Sequence, residues 1–273
     1  FFREGGHKLF PEEIELLGDL RGRSVLHLQC NAGQDTLSIK QLGAAKVTGV
    51  DISDEAIDFA RGLSRDSGLE ATFYRADVYD WLEEAARCPE RFDIVFCSYG
   101  AICWLSDLGP WAKGLAALLK PGGRFVTVEF HPVWCMFDEQ RQHKYPYATG
   151  GQAMTWPDGV GDYVGGSGPD LAPSGWQEGV TGFVNPHPAH EFGWGLADII
   201  SALAEAGLAV DHFREYRYSN GFKMFTDMQT LPGRRWVLPE GVPPFPLMYS
   251  IAARKPAQGE RAGVFDAVWV GDS

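Results

Sequence analysis

Short apolar runs alternate with segments of helical period along the first 130 residues of the chain. Five runs are rich in β-branched or aromatic residues and end at turn or polar residues, which is typical of buried strands. These runs span residues 24–29, 46–51, 71–77, 92–98 and 123–130. Between them, apolar residues recur three or four positions apart, as in 54–64 and 111–119, and this spacing predicts helices. Strands that alternate with helices predict right-handed βαβ units and an open, doubly wound α/β sheet.

The regular pattern stops after residue 131 and resumes near residue 196. Residues 132–190 contain many glycines, prolines and tryptophans and have no sustained period. Loops of that length without structure of their own are uncommon inside compact domains. The segment is therefore predicted to be an insertion that folds over the carboxyl edge of the sheet as a lid.

The last third of the chain predicts the elements that close the sheet. An apolar stripe over 196–207 predicts a helix, and two further strands are expected around 208–218 and 246–255. A smaller insertion, 219–245, separates these two strands. The result is a seven-stranded, mostly parallel sheet with a lid after strand 5 and a smaller insertion between strands 6 and 7. Its core comprises residues 1–131 and 191–256, the lid comprises 132–190, and 257–273 form a tail that acts as a tether or adds a strand.

Charge and cysteine content narrow the expected partners. The 36 acidic and 24 basic residues give a formal net charge of −12, which repels phosphate backbones and anionic lipid surfaces. We therefore expect a cationic or neutral small molecule as partner, with no nucleic acid and no membrane. The five cysteines are odd in number and have no metal-ligand spacing, which favours a reducing, cytoplasmic setting without a metal site. The chain begins with Phe1 and shows no signal-peptide pattern, so a trimmed N-terminus is expected.

Candidate binding residues lie in the turns that follow the strands, because ligands of doubly wound sheets bind outside the carboxyl ends of the strands. The stretch "VLHLQCNAGQDTL" runs from the first strand through a turn into a helix. Gly33 permits close backbone approach there, and Asn31 tolerates a left-handed conformation. Asp51 ends the second strand, where a carboxylate accepts hydrogen bonds from a ribose diol. Asp77 ends the third and is placed to accept from the exocyclic amine of a base.

Four motifs, in this order, resemble those of the class I S-adenosylmethionine-dependent methyltransferases, of the type 11/12-like kind with small-molecule acceptors. They are "VLHLQCNAG", "VTGVD", "RADV" and "LKPGGRF", and the resemblance covers about residues 20–130 and the closing strands. It implies a Rossmann-like methyltransferase fold, with S-adenosyl-L-methionine as cofactor and S-adenosyl-L-homocysteine as product. The cofactor-binding residues that it implies are His27, Gln29, Asn31, Ala32, Gly33, Gln34, Asp51, Ile52, Asp77, Val78, Ser98 and Tyr99. This chain has His27, Gln29 and Asn31 where the family usually has an acidic residue followed by two glycines.

The catalytic and substrate residues are predicted from their expected positions around the cleft. His131 lies just past the fifth strand and is the candidate general base, and Glu129 is placed to orient it or the substrate. A structural hydrogen-bonding role for His131 and a salt bridge for Glu129 are the alternatives. The candidate substrate residues are Trp104, His190, Glu191 and Trp194. Further tryptophans, Trp134, Trp156 and Trp176, either pack the lid or enclose a cationic or planar acceptor.

We therefore expect methyl transfer to nitrogen or oxygen of a small molecule by in-line displacement, with a slight preference for an amine acceptor. Two alternatives stay open: a regulatory protein that binds S-adenosylmethionine without transferring its methyl group, and a protein methyltransferase. A dehydrogenase is disfavoured because the glycine pattern of pyrophosphate binding is absent. The sequence does not indicate an oligomeric state.

Overall fold

The computed structural model describes residues 1–161 and 184–257, and its strands and helices alternate as the sequence pattern predicts. The strands are β1 (Ser24–Leu28), β2 (Lys46–Asp51), β3 (Thr72–Arg75), β4 (Phe92–Ser98), β5 (Leu119–Phe130), β6 (Ala153–Trp156), β7 (Ala189–Phe192), β8 (Ala209–Tyr216), β9 (Tyr218–Asn220), β10 (Gln229–Leu231), β11 (Arg235–Val237) and β12 (Met248–Arg254). The helices are α1 (Pro11–Leu17), α2 (Gln34–Gln41), α3 (Asp54–Ser67), α4 (Val78–Arg87), α5 (Leu108–Leu118) and α6 (Leu196–Glu205).

Seven strands form one sheet in the order β3-β2-β1-β4-β5-β12-β8. Neighbouring strands are parallel except at β12, which is antiparallel to both β5 and β8. The chain builds outward from β1 in both directions, since β2 and β3 lie on one side of it and β4 and β5 on the other. This reversal opens a crevice between the carboxyl ends of β1 and β4. The predicted seven-stranded, doubly wound, mostly parallel α/β sheet is confirmed.

Helices cover both faces of this sheet. Leu26 and Leu28 of β1 point into the core under α4, α5 and α6, where Trp111 is fully buried. Val25, on the opposite face of the same strand, packs in the core that includes residues of α1 and α2. Because side chains on both faces are buried, the strands read as continuous apolar runs.

Local signals set most of the element boundaries. Ser53 accepts a hydrogen bond from Ala56 N and caps α3, as its position before an apolar helical stretch predicts. The fifth strand begins at Leu119, earlier than the predicted start at residue 123, because Leu119 already pairs with Phe92 of β4.

Both predicted insertions contain short strands. In residues 132–190, β6 pairs antiparallel with β7, and β7 packs beside the 3-10 turn Ile102–Trp104. In 219–245, β9, β10 and β11 form a three-stranded antiparallel sheet. Trp176 and nearly all of the predicted tail lie outside the described residues, and the closure of 132–190 as a lid stays a prediction. In the described parts of the chain, no helix is long and apolar enough to cross a membrane.

Candidate functional site

The turn between β1 and α2 is tight and has an unusual backbone. Gln29, Asn31 and Gly33 all have positive φ, at 53°, 48° and 74°. The left-handed conformation expected of Asn31 is present, and its side-chain Oδ1 accepts from Ala32 N at 2.6 Å. Positive φ at Gln29 was not expected. Non-glycine residues in this region cost of order 1 kcal/mol each and persist where the surrounding structure holds them, often at ligand sites.

Packing around Gly33 leaves no room for a side chain. A Cβ at this position would lie 2.6 Å from Ala60 Cβ and 2.9 Å from two ring atoms of Phe73. The glycine therefore lets α3 and β3 pack against the turn, directly before Gln34 begins α2. This packing gives Gly33 a structural role, and the close backbone approach expected from the sequence stays a prediction.

Asp51 ties the first two turns together. Its Oδ2 accepts from Asn31 N at 2.7 Å and its Oδ1 accepts from Ser53 N at 2.9 Å. Each carboxylate oxygen has a second lone pair, so Asp51 retains capacity for a ribose diol. The adjoining Ile52 is 60% exposed and presents an apolar surface beside it.

Asp77 starts α4 and shares its carboxylate with that helix. Its Oδ1 accepts from Tyr79 N at 2.8 Å and from Asp80 N at 3.4 Å, which is an N-cap. Val78, the first residue of α4, is half-buried against the core. Tyr79 Oη accepts from Asp107 N at 2.8 Å, so the segment that leads into α5 is held beside α4.

The end of β4 leads directly into the crevice. Ser98 is buried, and Tyr99, with φ of 38°, lies with its ring 6.1 Å from that of Phe10 and 5.3 Å from that of Phe130. Tyr99 Oη accepts from Asn220 Nδ2 at 2.9 Å. Burial, with Glu13 nearby, raises the pKa of Tyr99, so the phenol is neutral at physiological pH.

Gln29 spans the crevice between the turns that follow β1 and β4. Its hydrogen bonds test whether the site fits the cofactor. Its Nε2 donates to Ala101 O at 2.6 Å. Its Oε1 is buried and has no hydrogen-bond partner within the described residues. A buried acceptor without a donor costs about 1 to 3 kcal/mol, so the site is complementary to a ligand that carries N–H groups. A diol acceptor at Asp51, an apolar surface at Ile52 and an unmet acceptor at Gln29 fit S-adenosylmethionine.

His27 lies beneath the turn rather than in the crevice. It is 3% exposed, its Nδ1 is hydrogen-bonded to Thr36 Oγ1 at 2.8 Å, and its ring packs 5.0 Å from that of Phe96. Burial lowers the pKa of His27 to about 4. This geometry favours a core histidine over the cofactor contact implied by its motif position.

Glu129 anchors the turn that follows β4. It is 4% exposed, and its carboxylate accepts from Phe130 N at 2.7 Å, Ala101 N at 2.9 Å, Ile102 N at 3.4 Å and also Gly100 N. Burial raises the pKa of Glu129, whereas these four N–H groups lower it. Among the residues that the structure describes, this carboxylate has no hydrogen bond to His131 and no ion pair, and its orientation of a substrate stays a prediction. Its contacts make Glu129 a positioning residue for the β4 turn.

His131 has both ring nitrogens engaged. Nδ1 accepts from Val133 N at 3.1 Å, so Nε2 carries the proton and donates to Glu215 Oε1 at 2.9 Å. The side chain is buried, and burial lowers the pKa of His131 although Glu215 opposes this effect. In this arrangement neither nitrogen has a free lone pair for a substrate proton. The geometry favours the structural alternative for His131 over the general base.

The candidate substrate residues are only partly brought together. Trp104 is 41% exposed on the turn Ile102–Trp104, and Trp194 Nε1 donates to Leu105 O at 2.7 Å just beyond it. Glu191 accepts from Trp156 Nε1 at 2.8 Å, and burial raises the pKa of Glu191. The charge of Glu191 also raises the pKa of Cys103, so Glu191 lies near the turn that follows β4. Neighbouring strand residues point to opposite faces, and His190 is exposed on the other face of β7.

An aromatic cluster that the sequence analysis missed lies beyond β5. Its members contact one another through their rings or pack in the same buried group. They are Phe130, Trp134, Phe137, Phe222, Phe225 and Phe245. Successive ring centroids run from Tyr99 to Phe130 (5.3 Å), on to Phe222 (5.1 Å) and then Trp134 (5.7 Å). A depression of about 350 Å³ adjoins the cluster. Its lining includes Trp134, Phe137, Lys144, Tyr145 and Met224.

Two buried glutamates of α1 were also missed. Glu12 accepts from Tyr218 Oη at 2.6 Å and Asn220 Nδ2 at 3.0 Å, and it pairs with Arg235. Asn220 also donates to Tyr99, so this network joins α1 to the β4 turn. Glu13 is 1% exposed. Acidic residues in a first helical turn after proline are typical of solvent-exposed positions, and no sequence signal marked these two as buried.

Comparison with known proteins agrees with this site. Residues 25–123 match a family model described as a methyltransferase domain. Among curated relatives, the ubiquinone biosynthesis O-methyltransferase of Bordetella avium (strain 197N) is 33% identical over 125 residues, covering 45% of this chain and 50% of the relative. That of Proteus mirabilis (strain HI4320) is 30% identical over 128 residues, with the same coverage. The chain thus spans about half the length of the curated relatives it matches.

Solved structures resemble the chain over most of its length. An S-adenosylmethionine-dependent methyltransferase from Mesorhizobium loti has a TM-score of 0.58 at 20% identity, covering 91% of this chain and 98% of that one. Another, from Clostridium acetobutylicum ATCC 824, has a TM-score of 0.55 at 13% identity, covering 90% and 88%. At these identities the likeness establishes the fold.

The fold, the turns at the switch point and the family match define a class I methyltransferase domain. The chain is similar to methyltransferases over residues 25–123, and S-adenosylmethionine is the cofactor of the class I methyltransferases. The resemblance stated from the four sequence motifs is therefore confirmed.

Proposed function

We propose that this protein transfers the methyl group of S-adenosylmethionine to nitrogen or oxygen of a small-molecule acceptor at the carboxyl edge of the sheet. The observation that carries the proposal is the set of polar groups around the crevice between β1 and β4. Asp51 offers a carboxylate to a diol, and Gln29 offers a buried acceptor that lacks a donor in the described structure. The family resemblance implies cofactor-binding residues in the same turns, although His27 lies beneath them in β1.

The sulfonium supplies an already activated methyl group, so the protein contributes mainly by holding the acceptor in line, about 3 Å from the methyl carbon. Glu129 serves this purpose by fixing the backbone of Gly100, Ala101 and Ile102 beside the crevice. Tyr99, held by Asn220, is the adjoining polar group on the same turn. An amine acceptor needs only deprotonation, whereas a hydroxyl benefits from a general base. For a hydroxyl acceptor, His131 would have to exchange its bond with Val133 or Glu215.

Two acceptor classes have separate support. The relatives named ubiquinone biosynthesis O-methyltransferases and the aromatic cluster beside Tyr99 favour a planar hydroxyl compound. The net charge of −12 and the carboxylate of Glu191 facing the β4 turn favour an amine. We retain an amine as the first choice and a phenol as the second, in a cytoplasmic setting consistent with five free cysteines.

Calorimetric titration with S-adenosylhomocysteine tests the cofactor site. Asp51→Ala is expected to weaken one-site binding by about 10- to 100-fold, since hydrogen bonds to a charged group contribute roughly 1.5 to 3 kcal/mol. Asp54→Ala is the matched control, because Asp54 is an exposed carboxylate three residues away that pairs with Arg75. Equal affinity in wild type and Asp51→Ala would contradict the role of Asp51. A well-folded wild-type protein that does not bind would contradict the proposed function.

An acceptor screen tests transfer itself. Formation of S-adenosylhomocysteine would be followed with matched panels of amines, phenols and carboxylates, and with unfolded and folded proteins as macromolecular acceptors. Turnover with amines or phenols supports the proposal. Turnover restricted to protein acceptors would indicate a protein methyltransferase. Tight cofactor binding with no turnover on any panel would favour the non-catalytic, regulatory alternative.

A further inference from the structure

Glu13 is a buried carboxylate with one oxygen unpaired. Its Oε2 accepts from Phe10 N at 2.7 Å, which fixes the start of α1. Its Oε1 is buried and has no hydrogen-bond partner among the residues that the structure describes. The side chain is 1% exposed. A carboxylate in such a place is costly unless a cation or donor is supplied to it.

The surroundings of Glu13 place it beside the cofactor crevice. Asp35, in the first turn of α2, raises the pKa of Glu13, and so does the neighbouring Glu12. Lys8 lowers it. Glu13 in turn raises the pKa of Tyr99, at the end of β4. The ring of Phe10, whose N–H it binds, packs against that of Tyr99. Glu13 therefore lies near the start of α2 and near Tyr99, the residue that follows β4.

Two buried acceptors near the turn that follows β4, Glu13 Oε1 and Gln29 Oε1, thus have no hydrogen-bond partner among the described residues. We propose that Glu13 is a recognition residue for the α-ammonium group of the cofactor's methionine portion, with Gln29 as a second acceptor. An ammonium carries three donors and no acceptor, and so matches this pair. This inference rests on the proposed function, because it assigns a ligand group within the same site.

Other occupants fit less well. Within residues 1–161 and 184–257, no group of three metal-ligating side chains comes together, so a metal ion lacks a ligand set. Burial and the charge of Asp35 both raise the pKa of Glu13. The charge of Lys8 only partly offsets this rise. Lys8 Nζ lies 4.0 Å from Asp35 Oδ1. A ligand cation stabilises the ionised carboxylate more strongly than a neutral water molecule does, because it adds an opposite charge to the hydrogen bond.

Calorimetric affinities for two ligands test the assignment. One is S-adenosylhomocysteine, and the other is its analogue in which hydrogen replaces the α-amino group. The wild type is expected to bind the first at least tenfold more tightly. Glu13→Gln is expected to lose most of this preference by weakening S-adenosylhomocysteine binding while leaving the analogue unchanged. Glu15→Gln, an exposed glutamate of the same helix, is the matched control and is expected to keep the preference.

The outcomes separate this inference from the proposed function. Equal wild-type affinity for the two ligands overturns the inference alone, as does a full preference retained in Glu13→Gln. A folded wild-type protein that binds neither ligand overturns both. If Glu13→Gln does not fold, as judged by circular dichroism, Glu13→Asp replaces it. The shorter side chain withdraws the charge from the ligand. If Glu13→Asp retained the full preference for S-adenosylhomocysteine, the inference would again be overturned.

Discussion

The two halves of the sheet's carboxyl edge are built differently. At the ends of β2 and β3, carboxylates bind backbone N–H groups in the turn that follows the strand, as Asp51 does with Ser53 and Asp77 with Tyr79. Beyond β5, the edge instead carries the aromatic cluster, which packs around Phe130, the last residue of that strand. The family match, residues 25–123, covers the first half and stops before the second.

This difference reflects the ligands that each half is proposed to hold. A cofactor of fixed shape can be held by short turns whose conformation is set locally. An acceptor that differs among methyltransferases requires a surface assembled from whatever segments follow the shared core. The first half therefore carries the match to methyltransferase domains, and the second is where the proposed acceptor preference is expected to reside.

Glu129 lies at the boundary between the halves, and its loss should have the largest effect. Glu129→Ala leaves four buried N–H groups without their acceptor, so we expect a loss of about 3 to 5 kcal/mol in the free energy of unfolding. Urea denaturation would measure this loss. Glu129→Gln keeps one acceptor oxygen and should lose roughly half as much. A loss below about 1 kcal/mol for the alanine variant would show that the β4 turn does not depend on this carboxylate.

His27 tests whether the cofactor half is a rigid, buried unit. Its pKa is about 4 in the folded protein and about 6.5 when unfolded, so below pH 6.5 the unfolded chain binds a proton that the folded chain does not. The free energy of unfolding should fall by up to about 3 kcal/mol between pH 6.5 and 4, and this contribution should be constant below pH 4. Denaturation of wild type and His27→Gln at several pH values would isolate it. Identical pH dependence in the two proteins would show that His27 is not buried as described.

Phe222 provides the smallest expected effect and the sharpest contrast. Phe222→Leu changes the centre of the aromatic cluster, two ring contacts away from Tyr99. Affinity for S-adenosylhomocysteine should change by less than about twofold, whereas KM for an identified acceptor should rise about tenfold, as expected for roughly 1.4 kcal/mol of lost contact. A tenfold loss of S-adenosylhomocysteine affinity would show that the two halves are not separate.

The first half was largely predictable because its signals are local. Apolar runs mark the strands, Ser53 and Asp77 lie where helix caps or strand ends are expected, and Asn31 adopts the backbone that its residue type allows. Even here, Gln29 and Gly33 show a limit. The left-handed Gln29 and the packing reason for Gly33 both depend on neighbours that are distant in sequence.

The second half was not predictable because its contacts join remote segments. Phe130 follows from strand periodicity, but its packing against Phe222 depends on where the smaller insertion folds back. Similarly, His131 was interpreted as a base from its position after β5, and its partner Glu215 lies 84 residues later. Residue type and strand position indicated these residues, whereas their partners decide their roles.

The network around Glu12 has a consequence for how the protein is made. The residues that bind this carboxylate, Tyr218, Asn220 and Arg235, follow it by 206, 208 and 223 positions. During synthesis, α1 leaves the ribosome before these partners, and 223 further residues have to be made before this charge has found all of them. Asn220 also reaches Tyr99, so the proposed cofactor crevice is completed at the same late moment. A prematurely ended chain would thus contain every cofactor motif and still lack the finished site.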